Sequence, residues 1–224
     1  MEEVVYSDSE LEAATALSMI HVRRLITWSA VRPVRGGKGV VRQWERSSIR
    51  HIARVATLYN AGLSLPLSHT MAILTPAAFM FNMIDPDAQI NPGAKFKFFS
   101  PNKPLPVLDT ADVVLTIIDG YSIYFRLGKS KAFFIGRLSS DRSVFLSALD
   151  YTRWTSSGLT GCNPRSLSWK YAPELASNRA QEDAAQHFQR PVSATIINLS
   201  LACKIAMRRL LGISITFSKG AHRS

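Results

Sequence analysis

From Ser18 to Trp44 the chain reads SMIHVRRLITWSAVRP and then VRGGKGVVRQW. This stretch restricts the local fold more than any other. Ser18 can cap a helix. Val22, Leu25 and Ile26 recur at helical spacing and should face a core, which leaves Met19, Ile20, His21, Arg23 and Arg24 on or near the other face. Pro33 forbids simple continuation of that helix, because it lacks the amide and its ring clashes with the preceding turn. Gly36, Gly37 and Gly39 then supply a turn between two short basic strands carrying Arg35, Lys38 and Arg42.

Helix, proline and basic Gly-rich hairpin, in that order, are what a winged helix-turn-helix needs to lay one helix in a DNA groove and a wing on the adjoining backbone. The charge agrees. The 224 residues carry a formal charge of +11, a balance that favours an anionic partner. Residues 20–74 hold nine Lys or Arg and one acid, Glu45, whereas Glu2, Glu3, Asp8, Glu10 and Glu12 precede them. Residues 76–150 have eight bases and seven acids, and residues 151–224 have ten bases and three acids. In this last region a merely solvated basic surface explains the excess equally well.

The flanking elements follow from capping and periodicity. A first helix is expected over 7–17, capped at Ser7, Asp8 or Ser9, with Leu11, Ala14 and Leu17 inward. A third is expected over about 48–61, stopping at Gly62, and a short fourth over about 64–74, before Pro76. Trp44 is expected to pack the wing on the third helix. Residues 55–84 lack Asp, Glu, Lys and Arg, but Asn60, Gly62, Pro66, His69, Pro76 and Asn82 interrupt them, so buried helices or a dimer surface are expected there and a membrane span is not.

Residues 85–110 are rich in proline and asparagine and read as a linker. Val113–Ile118 and Tyr121–Leu127 flank Asp119-Gly120, a strong hairpin signal, and open a β-meander continued by Ala132–Leu138. Val144–Leu149 fits a further strand or a short helix. A helix over about 172–189, a strand over 192–198 and a helix over 199–211 complete the pattern. The fold class expected is α+β. Residues 1–75 form a winged helix-turn-helix, 76–110 a linker, 111–217 an α+β domain with an antiparallel meander and C-terminal helices, and 218–224 a disordered tail.

Residues 6–74 resemble the N-terminal domain of the MerR family of bacterial transcription regulators. Ala16-Leu17-Ser18 is similar to that family's turn before its recognition helix, and Val22-Arg23-Arg24-Leu25 with Pro33 to the pattern that closes the helix segment. Arg42-Gln43-Trp44 is similar to the wing's arginine and aromatic, and Ala61-Gly62-Leu63-Ser64-Leu65 to the end of the domain. The chain departs from the family at Arg24 and Leu25, where the family has an aromatic pair, and at Ser29, where it has glycine. The long dimerisation helix of many members is not evident either, because Pro66, Pro76, Pro86 and Pro92 fall where it would lie.

The resemblance implies a recognition helix over about 18–28 in the major groove of double-stranded DNA, with Met19, Ile20, His21 and Arg24 nearest the bases and Arg23 on phosphate. Arg35, Lys38 and Arg42 of the wing (35–42) are expected on phosphate or in the minor groove, and amides near Ser18 on phosphate. For His21 a surface histidine without a role is an equal alternative.

No catalytic residues are expected. Cys162, Asn163 and His187 are tied by no spacing, and there is no P-loop, dinucleotide fingerprint or metal-ligand pattern. No cofactor or metal is expected. Tyr121, Tyr124, Phe125, Phe133 and Phe134 fit a sheet core better than a ligand pocket. Without a secretory leader and with only Cys162 and Cys203, a reducing bacterial cytoplasm, at the nucleoid, is the expected compartment. The function expected is a DNA-binding transcriptional regulator that is open to homodimerisation. The alternatives are an architectural or excisionase-type DNA binder, or a ligand- or partner-binding module tethered to DNA, its effector unspecified.

Overall fold

The computed structural model describes residues 4–37, 40–80, 104, 105, 108, 112–127, 132–139, 144–146 and 169–218. They form a mixed helix-and-sheet protein of α+β class. Helix α1 (Asp8–Thr15) opens with a complete capping box, in which the Ser7 hydroxyl accepts from Glu10 N–H and the Glu10 carboxylate accepts from Ser7 N–H. Ala16 ends α1 at φ 55°, a left-handed turn that brings in α2 (Met19–Thr27). Val22 and Leu25 are fully buried on α2, Ile26 is half-buried, and Arg23 and Arg24 are exposed. A second left-handed residue, Ser29 at φ 57°, leads to the antiparallel hairpin β1 (Arg35–Gly37) and β2 (Val40–Gln43). A Cβ at position 36 would lie 3.1 Å from Arg42 Cγ and 3.2 Å from Pro33 Cγ, so a larger residue there would press on both side chains.

Trp44 is buried outright. Its backbone exchanges hydrogen bonds with Tyr6 at 2.9 and 2.8 Å, which ties the hairpin to the segment before α1. Helix α3 (Arg46–Asn60) buries Ile49, Ile52, Val55 and Leu58 on one face. It ends in a Schellman turn, with Gly62 at φ 96° and Leu63 N–H bonded to Leu58 C=O. Helix α4 (Leu65–Met80) runs past Pro76, where 64–74 was expected. Pro66 sits in the first turn, where the missing amide has no partner to lose, while Pro76 forfeits one interior bond without ending the helix.

The sheet has strand order β7-β6-β5-β4-β3-β8 among the described residues: β3 (Val113–Ile118), β4 (Ser122–Leu127), β5 (Phe133–Leu138), β6 (Val144–Leu146), β7 (Trp169–Tyr171) and β8 (Ala194–Asn198). β3 to β6 form the expected antiparallel meander, β7 adds in parallel to β6, and β8 pairs antiparallel with β3 at the other edge. The β3–β4 turn places both Asp119 and Gly120 at positive φ, and Ile118 pairs with Ser122, so Tyr121 belongs to the connection and not to the strand. A 3-10 turn (Pro173–Ala176) and α5 (Asn178–Gln189) stand where one helix over 172–189 was expected, and α6 (Leu199–Leu210) follows β8 directly.

Both faces of the central strands are covered. Leu115, Ile117, Ile123, Phe125 and Ile197 join one apolar cluster with Leu11, Leu25, Trp44, Ile52, Met71 and Leu199, and this cluster runs from the N-terminal helices through α6 to the sheet. Ile118, Tyr124 and Phe134 face the other way, against Ala172, Leu175 and Ala184. Neighbouring aromatics of β4 therefore occupy opposite layers, with Phe125 in the first cluster and Tyr124 in the second. Asp112 and Lys204, both buried, form an ion pair that fixes the start of β3 to α6, and Asn198 Nδ2 donates to the same carboxylate at 2.8 Å. Among the described residues no helix is long and apolar enough to cross a membrane.

Candidate nucleic-acid interface

The orientation of α2 follows from its own pattern. With Val22 and Leu25 locked into the core, helical geometry turns Ile20, Arg23, Arg24 and Thr27 outward. Ile20 is 65 % exposed. Thr27 Oγ1 bonds back to Arg23 C=O at 3.0 Å, which leaves the arginines to define the polar character of the face. On the hairpin Arg35 is exposed, and so are Val34, Val40 and Val41, the last at 75 %. Arg32, on the segment entering the hairpin, is exposed as well. It was not singled out in the sequence because it lies outside both periodic segments.

Several of the residues expected to touch DNA also make contacts within the protein. Met19 is half-buried and packs on the main core. The ring of His21 is bonded at both nitrogens, with Nδ1 2.7 Å from Ser18 Oγ and Nε2 3.1 Å from the Tyr59 hydroxyl. The Tyr59 and His21 rings are also in contact at a tilt of 49°, with centroids 4.7 Å apart. The Ser18 hydroxyl thus engages His21 and makes no side-chain cap to a backbone amide of α2. The Glu12 carboxylate takes over part of that duty, accepting from Met19 N–H at 3.2 Å. A phosphate approaching the same end of α2 would meet this carboxylate first.

Arg42 is likewise engaged. Its Nη1 lies 2.8 Å from Asp8 Oδ2, and the other carboxylate oxygen of Asp8 accepts from Trp44 Nε1 at 2.8 Å. Asp8 therefore braces the second hairpin strand against α1. Lys38 lies outside the described residues. Of the nine residues named from the sequence, Ile20, Arg23, Arg24 and Arg35 share an exposed setting. Ser18, Met19, His21 and Arg42 are tied into the fold.

Elsewhere, two titratable clusters stand out. His187 Nε2 lies 2.6 Å from Asp119 Oδ2, and Tyr121 stacks on the imidazole. Bonds from Ser193 N–H and from His187 hold the Asp119 carboxyl below its usual range. The Ser193 hydroxyl meets the carboxylate and not the imidazole, so the three residues lack the order of a nucleophile activated by histidine. Cys162 and Asn163 lie outside the described residues. Between α3 and α4, His51 Nε2 is 3.1 Å from His69 Nδ1, and His69 Nε2 is buried without a partner. Burial pushes His69 down to about 4. Among the described residues no group of three or more His, Cys, Asp or Glu could hold a metal ion. No protein-family model matches the chain, and neither does any curated protein or solved structure.

Proposed function

We propose that the protein is a transcriptional regulator of the winged helix-turn-helix type that binds double-stranded DNA in the bacterial cytoplasm, with a MerR-like arrangement of its first 75 or so residues. In this reading α2 enters the major groove and the β1–β2 hairpin lies against the neighbouring backbone. The observation that carries it is the outward pair Arg23 and Arg24 on a short helix whose opposite face is fully buried, beside a hairpin that exposes Arg35. Two outward guanidiniums on a helix anchored in the core suit bidentate contacts to guanine and phosphate. Ile20 supplies an apolar contact, such as a thymine methyl would take. Arg24 reads a base, Arg23 anchors phosphate, and His21 and Arg42 act indirectly by holding α2 and the hairpin in place.

A second reading has support from the hairpin. Exposed Val34, Val40 and Val41 give it an apolar surface, which fits an architectural protein that presses into a widened minor groove and bends DNA. Selection from a random duplex library with the purified protein separates the two. A regulator enriches one defined motif, Arg24→Ala relaxes that motif at one position, and Arg23→Ala weakens all sequences alike. An architectural binder yields weak motifs and strong bending, measured by circular-permutation electrophoresis. A protein that selects no duplex and bends none is neither.

A further inference from the structure

A cavity of about 720 Å³ opens between the helical N-terminal segment and the sheet. One wall is the turn joining α3 to α4, with Tyr59, Gly62 and Ser64. The other is the end of the sheet, with Ile117, Gly120 and Thr195. The volume is in the range of small-molecule sites. Its chemistry is specific in one respect. The described lining holds hydroxyls and apolar side chains, with no carboxylate, ammonium, guanidinium or imidazole. A charged ligand that lost hydration there would find no opposite charge among the described lining, whereas an uncharged one would lose little. The two glycines keep the walls low. Both need positive φ, and a Cβ on either would meet nothing within 4 Å, so the wall at these points is backbone facing open space.

The cavity is also joined to α2. Tyr59 is part of its wall, and the Tyr59 hydroxyl is the partner of His21 Nε2. His21 Nδ1 in turn meets Ser18 at the start of α2. A molecule that takes the Tyr59 hydroxyl as its own hydrogen-bond partner, or shifts the phenol ring, changes what holds His21. The first turn of the helix carrying Ile20, Arg23 and Arg24 is then held differently. We propose that this cavity is an effector site for a small uncharged molecule bearing a hydrogen-bonding oxygen, and that α2 senses its occupancy through Tyr59 and His21. The regulatory meaning of the site rests on the DNA-binding reading. Its existence, and its coupling to His21, do not.

The test uses 6-propionyl-2-dimethylaminonaphthalene, an uncharged fluorophore with one carbonyl acceptor, and 8-anilinonaphthalene-1-sulfonate as its anionic counterpart. The full chain is expected to bind the uncharged probe one to one with a blue shift, at least tenfold more tightly than the sulfonate. Thr195→Trp fills the rim from an exposed strand position that tolerates bulk, and should weaken the uncharged probe at least tenfold with an unchanged thermal midpoint. Saturation with the probe should move the His21 ring resonances in wild type. In Tyr59→Phe, which lacks the hydroxyl bonded to His21 Nε2, those resonances should stay still at saturating probe. Equal binding of the two probes, or unchanged binding in Thr195→Trp, overturns the site. Unmoved His21 resonances in saturated wild type overturn the coupling. Failure of the protein to bind any duplex overturns the DNA reading alone, because none of these readouts contains DNA.

Discussion

Acid should destabilise this fold through His69, and the effect can be worked from its surroundings. His69 is 1 % exposed, shares one ring nitrogen with His51 and buries the other without a partner. Burial disfavours the imidazolium and lowers the pKa from 6.5 to about 4. Burial, the His69 ring and the Arg54 guanidinium push His51 in the same direction. His51 is only half-buried, so the magnitude is taken from His69 alone. The unfolded chain takes up a proton at this residue near pH 6.5 while the folded chain does so only near pH 4. Between those values the unfolded state binds more protons, and stability falls as pH falls. At about 1.4 kcal/mol per pKa unit, moving from pH 8 to pH 5 costs about 2 kcal/mol through this residue.

Urea unfolding at pH 8, 6.5 and 5 measures it, with His69→Phe as the comparison, because phenylalanine keeps the ring volume and removes the titration. The wild type should lose about 2 kcal/mol more than the variant between pH 8 and 5. If both lose the same amount, or if the His69 ring of the folded protein titrates near 6.5, the burial argument is wrong.

Three further substitutions probe separate parts of the structure. Asp112→Asn removes the carboxylate charge paired with the buried Lys204 ammonium and should cost about 3–5 kcal/mol in chemical denaturation, whereas the apolar pair Asp112→Leu with Lys204→Met should cost less than that single change. Ser29→Gly removes the penalty of a side chain at φ 57° and should raise stability by about 0.5–1 kcal/mol, read as a higher urea midpoint. Glu12→Gln takes a negative charge from the start of α2 and should tighten duplex binding about two- to fivefold at low salt in fluorescence anisotropy, the ratio expected for one charge at a helix end.

The elements that local rules govern were legible in the sequence. The buried stripe of α2, the glycine hairpin, the stop at Gly62 and the Asp119-Gly120 turn each depend on residues a few positions apart, whereas α2 ends at Thr27, before the left-handed Ser29, and not at Pro33. Ser29 is instructive, because it departs from the glycine of the family the segment resembles, yet its backbone has the positive φ that glycine favours. What sequence periodicity could not supply were the partners of the polar residues. His21 meets Tyr59 from 38 positions away, and Arg42 meets Asp8 from 34. Each gives an internal partner to a side chain that the helix or hairpin pattern alone would leave to solvent. The covered second face of β4 is not legible in the sequence for the same reason. Alternation signals one buried face, and only the packing of Leu175 and Ala184 against Tyr124 and Phe134 buries the other.

The central claim is that Arg23 and Arg24 hold DNA, and the salt dependence of duplex affinity tests it most directly. Anisotropy titrations on a selected duplex, from about 50 to 200 mM salt, should give a linear fall of log affinity with log salt for wild type, and a slope about 0.9 smaller for Arg23→Ala as one phosphate contact is lost. Arg24→Ala should lose affinity for the selected site and keep its affinity for unrelated duplexes. Absence of duplex binding at the lowest salt, or a slope and affinity unchanged in both variants, would contradict the account.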